Sequence, residues 1–266
     1  MTDTPNALSV TTDARGVAIV TLTRPAVHNA FDDALIARLT EAFTALGEDP
    51  AVRLVVLAAE GKSFSAGADL TWMKRMAGYS RAENLADAGA LADMLAAIDR
   101  CPKPTLAVVQ GAAMGGGVGL VAACDMAVAS TRASFALSEV KLGLIPAVIS
   151  PYVAAAIGPR ACRRYFLTGE RFDAETALRL GLVSELAAPD DLETAAHRVI
   201  DALLAAGPVA QRAAKDLIGA VAFRVPDQAL KDDTAARIAD IRAGTEGREG
   251  VTAFLEKRPP AWTTKE

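Results

Sequence analysis

The sequence predicts an α/β fold: a core of strand–loop–helix units, then a helical C-terminal part from about residue 195. Three observations predict it. Apolar, β-branched runs alternate with segments of helical spacing over the first 150 residues. The run VRLVVLAAE (52–60) is apolar on both faces, as in a buried parallel sheet. After about residue 150 the chain is mostly helical in periodicity.

In chain order, LSVTTDARG and GVAIVTLTRP (16–25) read as a hairpin. From Asp32 to Glu48, Leu35, Ile36, Leu39, Phe43 and Leu46 share a helix face, with Asp32 or Asp33 as N-cap. The strand 52–60 follows, then a loop, GKSFSAGADL, and a helical region over about 81–100. The breakers of CPKP lead into a strand, TLAVVQG (105–111). Next come GAAMGGG, a helix through Cys124, the strand DMAVAS, and FALSEVKLGL as a short strand plus loop. The segments GPRACRRYFLTG, DAETALRLG, DDLETAAHRVIDALLAAG, PVAQRAAKDLIGAV and 226–257 read as helices.

Composition narrows the chemistry. The 266 residues are 52% hydrophobic and 23% charged with a net charge of −4, which suits a soluble globular protein. No basic cluster exceeds KRPP or MKRM, so no nucleic-acid partner is expected. No signal peptide and no membrane span are expected, which places the protein in the cytoplasm. Cys101, Cys124 and Cys162 lack metal-ligand spacing and read as reduced structural thiols. Two histidines, His28 and His197, are too few for a His-rich metal site and lack a Gly-x-Ser-x-Gly partner. The GGGVG run does not fit the dinucleotide-binding pattern. Any chemistry therefore rests on carboxylates, backbone groups or a bound cofactor.

Two loops supply backbone groups. FSAGADL (64–70) and MGGGVGL (114–120) each follow a strand and lead into a helix, so free N–H groups collect there, reinforced by the helix dipole. One N–H from each loop, converging on one oxygen, makes an oxyanion hole suited to a thioester carbonyl that becomes an enolate. Taken singly, each loop reads equally as a tight turn.

The set TLTRPAVHNAF, GKSFSAGADL, GAAMGGGVGL, SEVKLGLIPA and FLEKRPP, in this order and spacing, resembles the enoyl-CoA hydratase/isomerase (crotonase) family over nearly the whole chain. The resemblance implies a crotonase-type spiral of repeated ββα units over 1–195 and a helical trimerisation region over 196–266. It implies oxyanion donors at Ala68 and Gly116. Coenzyme A would lie along Ala68, Asp69, Leu70 and Thr71, with Phe254 and Lys257 at its nucleotide end, often across a subunit interface. The position after RP, often basic in the family, is Ala26, so phosphate contacts fall to Arg24 or Lys74. No metal and no separate cofactor are implied, since coenzyme A arrives within the substrate. A homotrimer or a dimer of trimers is expected.

The best-known hydratases of the family use two carboxylates. The second matches Glu139, among Phe135, Leu137, Val140 and Leu142, where burial would raise its pKa. Read alone, Glu139 suits an ion pair with Lys141 or Arg132. The first carboxylate position is Gly119, with no obvious substitute: Asp125 reads as a cap or turn residue and Asp69 as ordering its loop. GGGVGL, SEVKLGL, ISPYV and RRYFLTGERF resemble the bacterial methylglutaconyl-CoA hydratase-like branch of leucine breakdown, which also has glycine there. Arg163 and Arg164 are the candidate partners for a distal substrate carboxylate. Trp72, Met73, Met76 and Tyr79 line an acyl pocket or are plain core. Three activities follow from the resemblance: an enoyl-CoA hydratase (a lyase), a double-bond isomerase with Glu139 as shuttle, and a non-catalytic acyl-CoA- or RNA-binding member.

Overall fold

The described chain, residues 7–263 of a computed structural model, holds ten strands and ten α-helices. In order they are β1 (Leu8–Thr12), β2 (Val17–Leu22), α1 (Asp33–Glu48), β3 (Leu54–Ala59), β4 (Ser63–Ser65), α2 (Leu70–Met76) and α3 (Arg81–Asp99). Then follow β5 (Thr105–Val109), β6 (Ala112–Met114), α4 (Gly116–Ala123), β7 (Met126–Ser130), β8 (Ser134–Ala136) and a short 3-10 turn, Glu139–Leu142. The rest is α5 (Ser150–Thr168), β9 (Arg171–Asp173), α6 (Ala174–Leu180), β10 (Glu185–Ala187), α7 (Leu192–Ala205), α8 (Pro208–Val221), α9 (Gln228–Ala243) and α10 (Thr245–Glu256).

Local chemistry sets the boundaries. The Asp32 side chain accepts from the Leu35 amide at 3.0 Å and starts α1. Ser80 and Glu83 form a capping box that starts α3. Gly158, at φ 73°, breaks α5 ahead of Pro159.

The strands sort into two sheets. The larger has the order β1-β2-β3-β5-β7-β10, antiparallel only between β1 and β2. The smaller has the order β4-β6-β8-β9, antiparallel only between β8 and β9. Successive units, β3-β4-α2, β5-β6-α4 and β7-β8-α5, each give one strand to each sheet before a helix. This is the spiral of ββα units. The segments 61–70 and 111–117 are therefore not plain loops: each holds a three-residue strand, too short for a period-2 pattern to register.

Both faces of the larger sheet are buried at its inner strands, while the β1 edge is exposed. Along β3, Val55 and Leu57 join a core with Leu35, Leu39 and Phe43 of α1 and Leu95 and Ile98 of α3. Leu54 and Val56 point the other way, onto Leu192, Ala195 and Ile200 of α7. Each buried Val, Leu, Ile or Phe among them contributes about 1.5–3 kcal/mol. The boundary at 195/196 thus falls inside α7, a helix packed on the sheet. The three cysteines are buried thiols without disulfide partners, and burial pushes each one up from its ordinary pKa. Among the described residues no helix is long and apolar enough to cross a membrane.

Candidate active site

The first glycine loop runs from β4 to α2. Asp69 is the N-cap of α2, accepting from the amides of Thr71 at 2.8 Å and Trp72 at 3.3 Å. The Arg24 guanidinium donates to Asp69 at 3.0 Å and to the Ala30 carbonyl at 2.6 Å, and pairs with Asp32 at 3.2 Å. Burial alone would raise the Asp69 carboxyl; the two amides and Arg24 outweigh it and hold the group below the usual carboxylate range. Asp69 therefore orders the loop, as expected. Arg24 does not stand free for a phosphate, because its guanidinium is occupied by this network. Lys74 remains exposed.

Ala68 sits between two backbone bonds. Phe31 donates to the Gly67 carbonyl at 2.8 Å, and the Asp69 amide donates to the Phe31 carbonyl at 3.0 Å. In this parallel pairing the N–H of Ala68 faces away from Phe31. It donates to no group among the described residues.

The second loop runs from β6 into α4. The Gly115 amide donates to the Ala136 carbonyl at 2.8 Å, and the Gly115 carbonyl accepts from Val118 and Gly119. Gly116 is the first helical residue, and its N–H likewise lacks an acceptor among the described residues. The loops touch: a Cβ placed on Gly67 would lie 3.4 Å from the Gly116 nitrogen and 2.7 Å from the Met114 carbonyl oxygen. The two expected donor loops are thus neighbours in space.

Glu139 follows β8 and opens the 3-10 turn. Its Oε1 lies 3.0 Å from where a Cβ on Gly115 would stand, beside the Gly116 donor. Its Oε2 is buried and has no hydrogen-bond partner. Burial pushes the carboxyl up from the ordinary range, opposed only by its own backbone amide. Among the described residues Glu139 forms no ion pair with Lys141 or Arg132, and the Lys141 stem packs against Gly169. Phe135 and Leu137 are buried beside Glu139, whereas Leu142 turns out to solvent.

Gly119 packs under Ile149. A Cβ there would stand 2.3 Å from Ile149 Cγ2 and 3.7 Å from Leu95 Cδ2, so the space for a carboxylate side chain is filled. Asp125 accepts from the amide and hydroxyl of Thr105 and pairs with Lys215 at 2.8 Å, a structural anchor rather than a substitute acid. Trp72 is buried in the core and donates to Asp87 at 3.1 Å. Arg164 pairs with Glu170.

The remaining predicted binding residues are spread out. Leu70 and Thr71 are exposed at the start of α2. Phe254 and Lys257 lie at the end of α10, which packs on α9 and α8. No hydrogen bond or ion pair joins either to the glycine loops among the described residues. Phe31 was missed by sequence reasoning, although TLTRPAVHNAF contains it. The available signal is Asn29, a residue that tolerates the left-handed conformation it adopts here (φ 53°). Its amide is buried against the Glu60 and Ser63 carbonyls, fixing the turn that presents Phe31.

Comparison with known proteins bears on the family and the fold. The profile of the family described as "Enoyl-CoA hydratase/isomerase" matches residues 12–265. A solved enoyl-CoA hydratase from Shewanella pealeana superposes with a TM-score of 0.94 at 48% identity, covering 98% of this chain and 97% of that one. Crotonyl-CoA hydratase of Syntrophomonas wolfei is 31% identical over 94% of this chain and 95% of its own length. A trans-2-decenoyl-[acyl-carrier-protein] isomerase of Streptococcus mutans is 30% identical over the same shares, 94% and 95%.

Proposed function

The chain belongs to the enoyl-CoA hydratase/isomerase family, and on that premise we propose that it is a hydratase acting in the cytoplasm on a branched enoyl-CoA of the methylglutaconyl-CoA type, in leucine breakdown. The amides of Ala68 and Gly116 bind the thioester oxygen. The Glu139 carboxylate takes a proton from water as the water oxygen bonds to C3. The C2–C3 π electrons move toward the thioester, giving an enolate whose oxygen the two amides hold. Glu139 then returns the proton to C2, so one carboxylate serves both steps. The reaction needs no metal, and coenzyme A enters as part of the substrate.

One observation carries this reading: a buried, unpartnered carboxylate oxygen beside a pair of unengaged amides. Burial raises the Glu139 carboxyl above the ordinary range, the direction that suits an acid–base group. Asp69, Leu70 and Thr71 would line the coenzyme A arm. Phe254 and Lys257 would reach the nucleotide end in a neighbouring subunit of a trimer or dimer of trimers, built on the 196–266 region. The exposed apolar side chains of that region, among them Ile218, Phe223, Phe254 and Leu255, support such an assembly. Sedimentation at micromolar concentration tests it; a monomer would overturn it.

The packing of Ile149 over Gly119 favours a second reading, double-bond migration, because a single proton carrier suffices to move a proton between C4 and C2. A panel of enoyl-CoAs in ¹⁸O-labelled water separates the two. Label in the 3-hydroxy product of a methylglutaconyl-type substrate is expected, with a loss of about 100-fold or more in Glu139→Gln. Migration without label overturns hydration. Unchanged turnover in Glu139→Gln overturns the role of that residue.

A further inference from the structure

We propose that Phe31 is a positioning residue that holds the Ala68 and Gly116 amides in register with each other. The inference rests on the oxyanion reading above. Phe31 engages both donor loops, by different parts of the residue. Its main chain grips Gly67 and Asp69, on either side of Ala68, through the bonds of 2.8 and 3.0 Å. Its ring runs the other way, into the second loop. A Cβ on Gly116 would stand 2.2 Å from Phe31 Cζ and 3.1 Å from both Cε atoms, so the ring tip rests on the Gly116 backbone.

The side chain is 1% exposed. Trp72, on the helix that Asp69 caps, lies at 6.4 Å between ring centroids and backs it. A planar ring between two backbones has no soft torsion beyond χ2 to absorb a shift. Movement of one loop is therefore passed to the other. Glycine at 116 follows from the same contact, because any Cβ there would meet the ring. Phe43, equally buried, lacks this arrangement: it sits on α1 against the core.

Phe31→Leu separates the two functions. The backbone bonds to Gly67 and Asp69 need no ring and persist, while the tip contact at Gly116 is lost. Phe31→Met, with a side chain long enough to reach Gly116, restores much of the contact. Phe43→Leu is the control for lost burial. We expect kcat to fall about tenfold or more in Phe31→Leu with KM within about twofold, partial recovery in Phe31→Met, and wild-type kcat in Phe43→Leu despite a similar drop in Tm. The second readout does not depend on turnover: the infrared carbonyl stretch of bound ¹³C-labelled butyryl-CoA. It should shift to lower frequency in the wild type and in Phe43→Leu, and move back toward the solution value in Phe31→Leu. Wild-type kcat and carbonyl shift in Phe31→Leu would overturn the proposal. Loss of kcat to the same extent in Phe43→Leu would reduce Phe31 to a stability role and overturn it too. A wild-type protein that leaves the carbonyl unshifted would sink the oxyanion reading itself, and this proposal with it.

Discussion

The two glycine loops place their free amides side by side but are held by different forces. The loop at Ala68 is held by charge and hydrogen bonds: Arg24 spans Asp69 and Asp32, and Asp69 caps α2. The loop at Gly116 has backbone bonds but no side-chain ion pair or cap, and is held largely by contact: Phe31 presses on Gly116 and Ile149 fills the space over Gly119. Polar anchoring resists disorder yet answers to pH. Steric anchoring ignores pH and tolerates no added atom. The pairing explains why one loop carries a carboxylate and an arginine nearby while the other carries almost only glycine.

The sharpest way to break the steric side is Gly116→Ala. The new methyl meets Phe31, and the donor moves. Turnover of an enoyl-CoA is expected to fall about 10²–10³-fold, as for removal of one oxyanion donor. Retained acyl-CoA binding in a calorimeter would show that the fold survives. The polar side breaks at Arg24→Ala. The Arg24 and Asp69 side chains are 14% and 11% exposed, so stranding Asp69 should lower stability by about 3 kcal/mol in urea titration, and Arg24→Lys by less. A loss near zero would mean that capping alone holds the loop.

Gly119→Ala is expected to cost about 1–3 kcal/mol through overpacking against Ile149. Adding Ile149→Ala should make the double variant more stable than the sum of the two single losses predicts. Simple additivity would remove Ile149 as the filler of that space.

The smallest effects are those of pH, and they have opposite signs. The Asp69 carboxyl is held low in the folded state, so it adds stability above the ordinary carboxylate range and loses it as pH falls through its depressed value. Asp69→Asn can still cap α2, so its deficit against wild type should be present at neutral pH and close in acid. Glu139 is pushed up, so its ionisation works against the fold as pH rises through the ordinary range. Glu139→Gln should therefore raise Tm at neutral pH and match wild type in acid. Parallel pH profiles for the two variants would contradict the opposite shifts of the two carboxyls.

Much of the framework was legible in sequence. The α1 face came from spacing alone, because burial of Leu35, Leu39 and Phe43 demands the helical period. The double-sided character of β3 was legible because a strand covered on both faces has no room for polar residues. The strands β4, β6 and β9 were not, since three residues are too few to show a period. Glu139 was legible as a candidate proton carrier through its apolar neighbours and the family resemblance, but its unpartnered oxygen was not.

The sequence by itself determined the α/β class, the two glycine loops and the single carboxylate left by Gly119, because each depends on local conformation or residue type. Only the tertiary structure decided that Arg24 is occupied by Asp69 and Asp32, that Ile149 fills the space over Gly119, and that Phe31 touches both loops. Those partners are separated by 8 to 85 positions in the chain. No local pattern encodes such meetings; they arise when the two sheets stack strand ends that the sequence keeps apart.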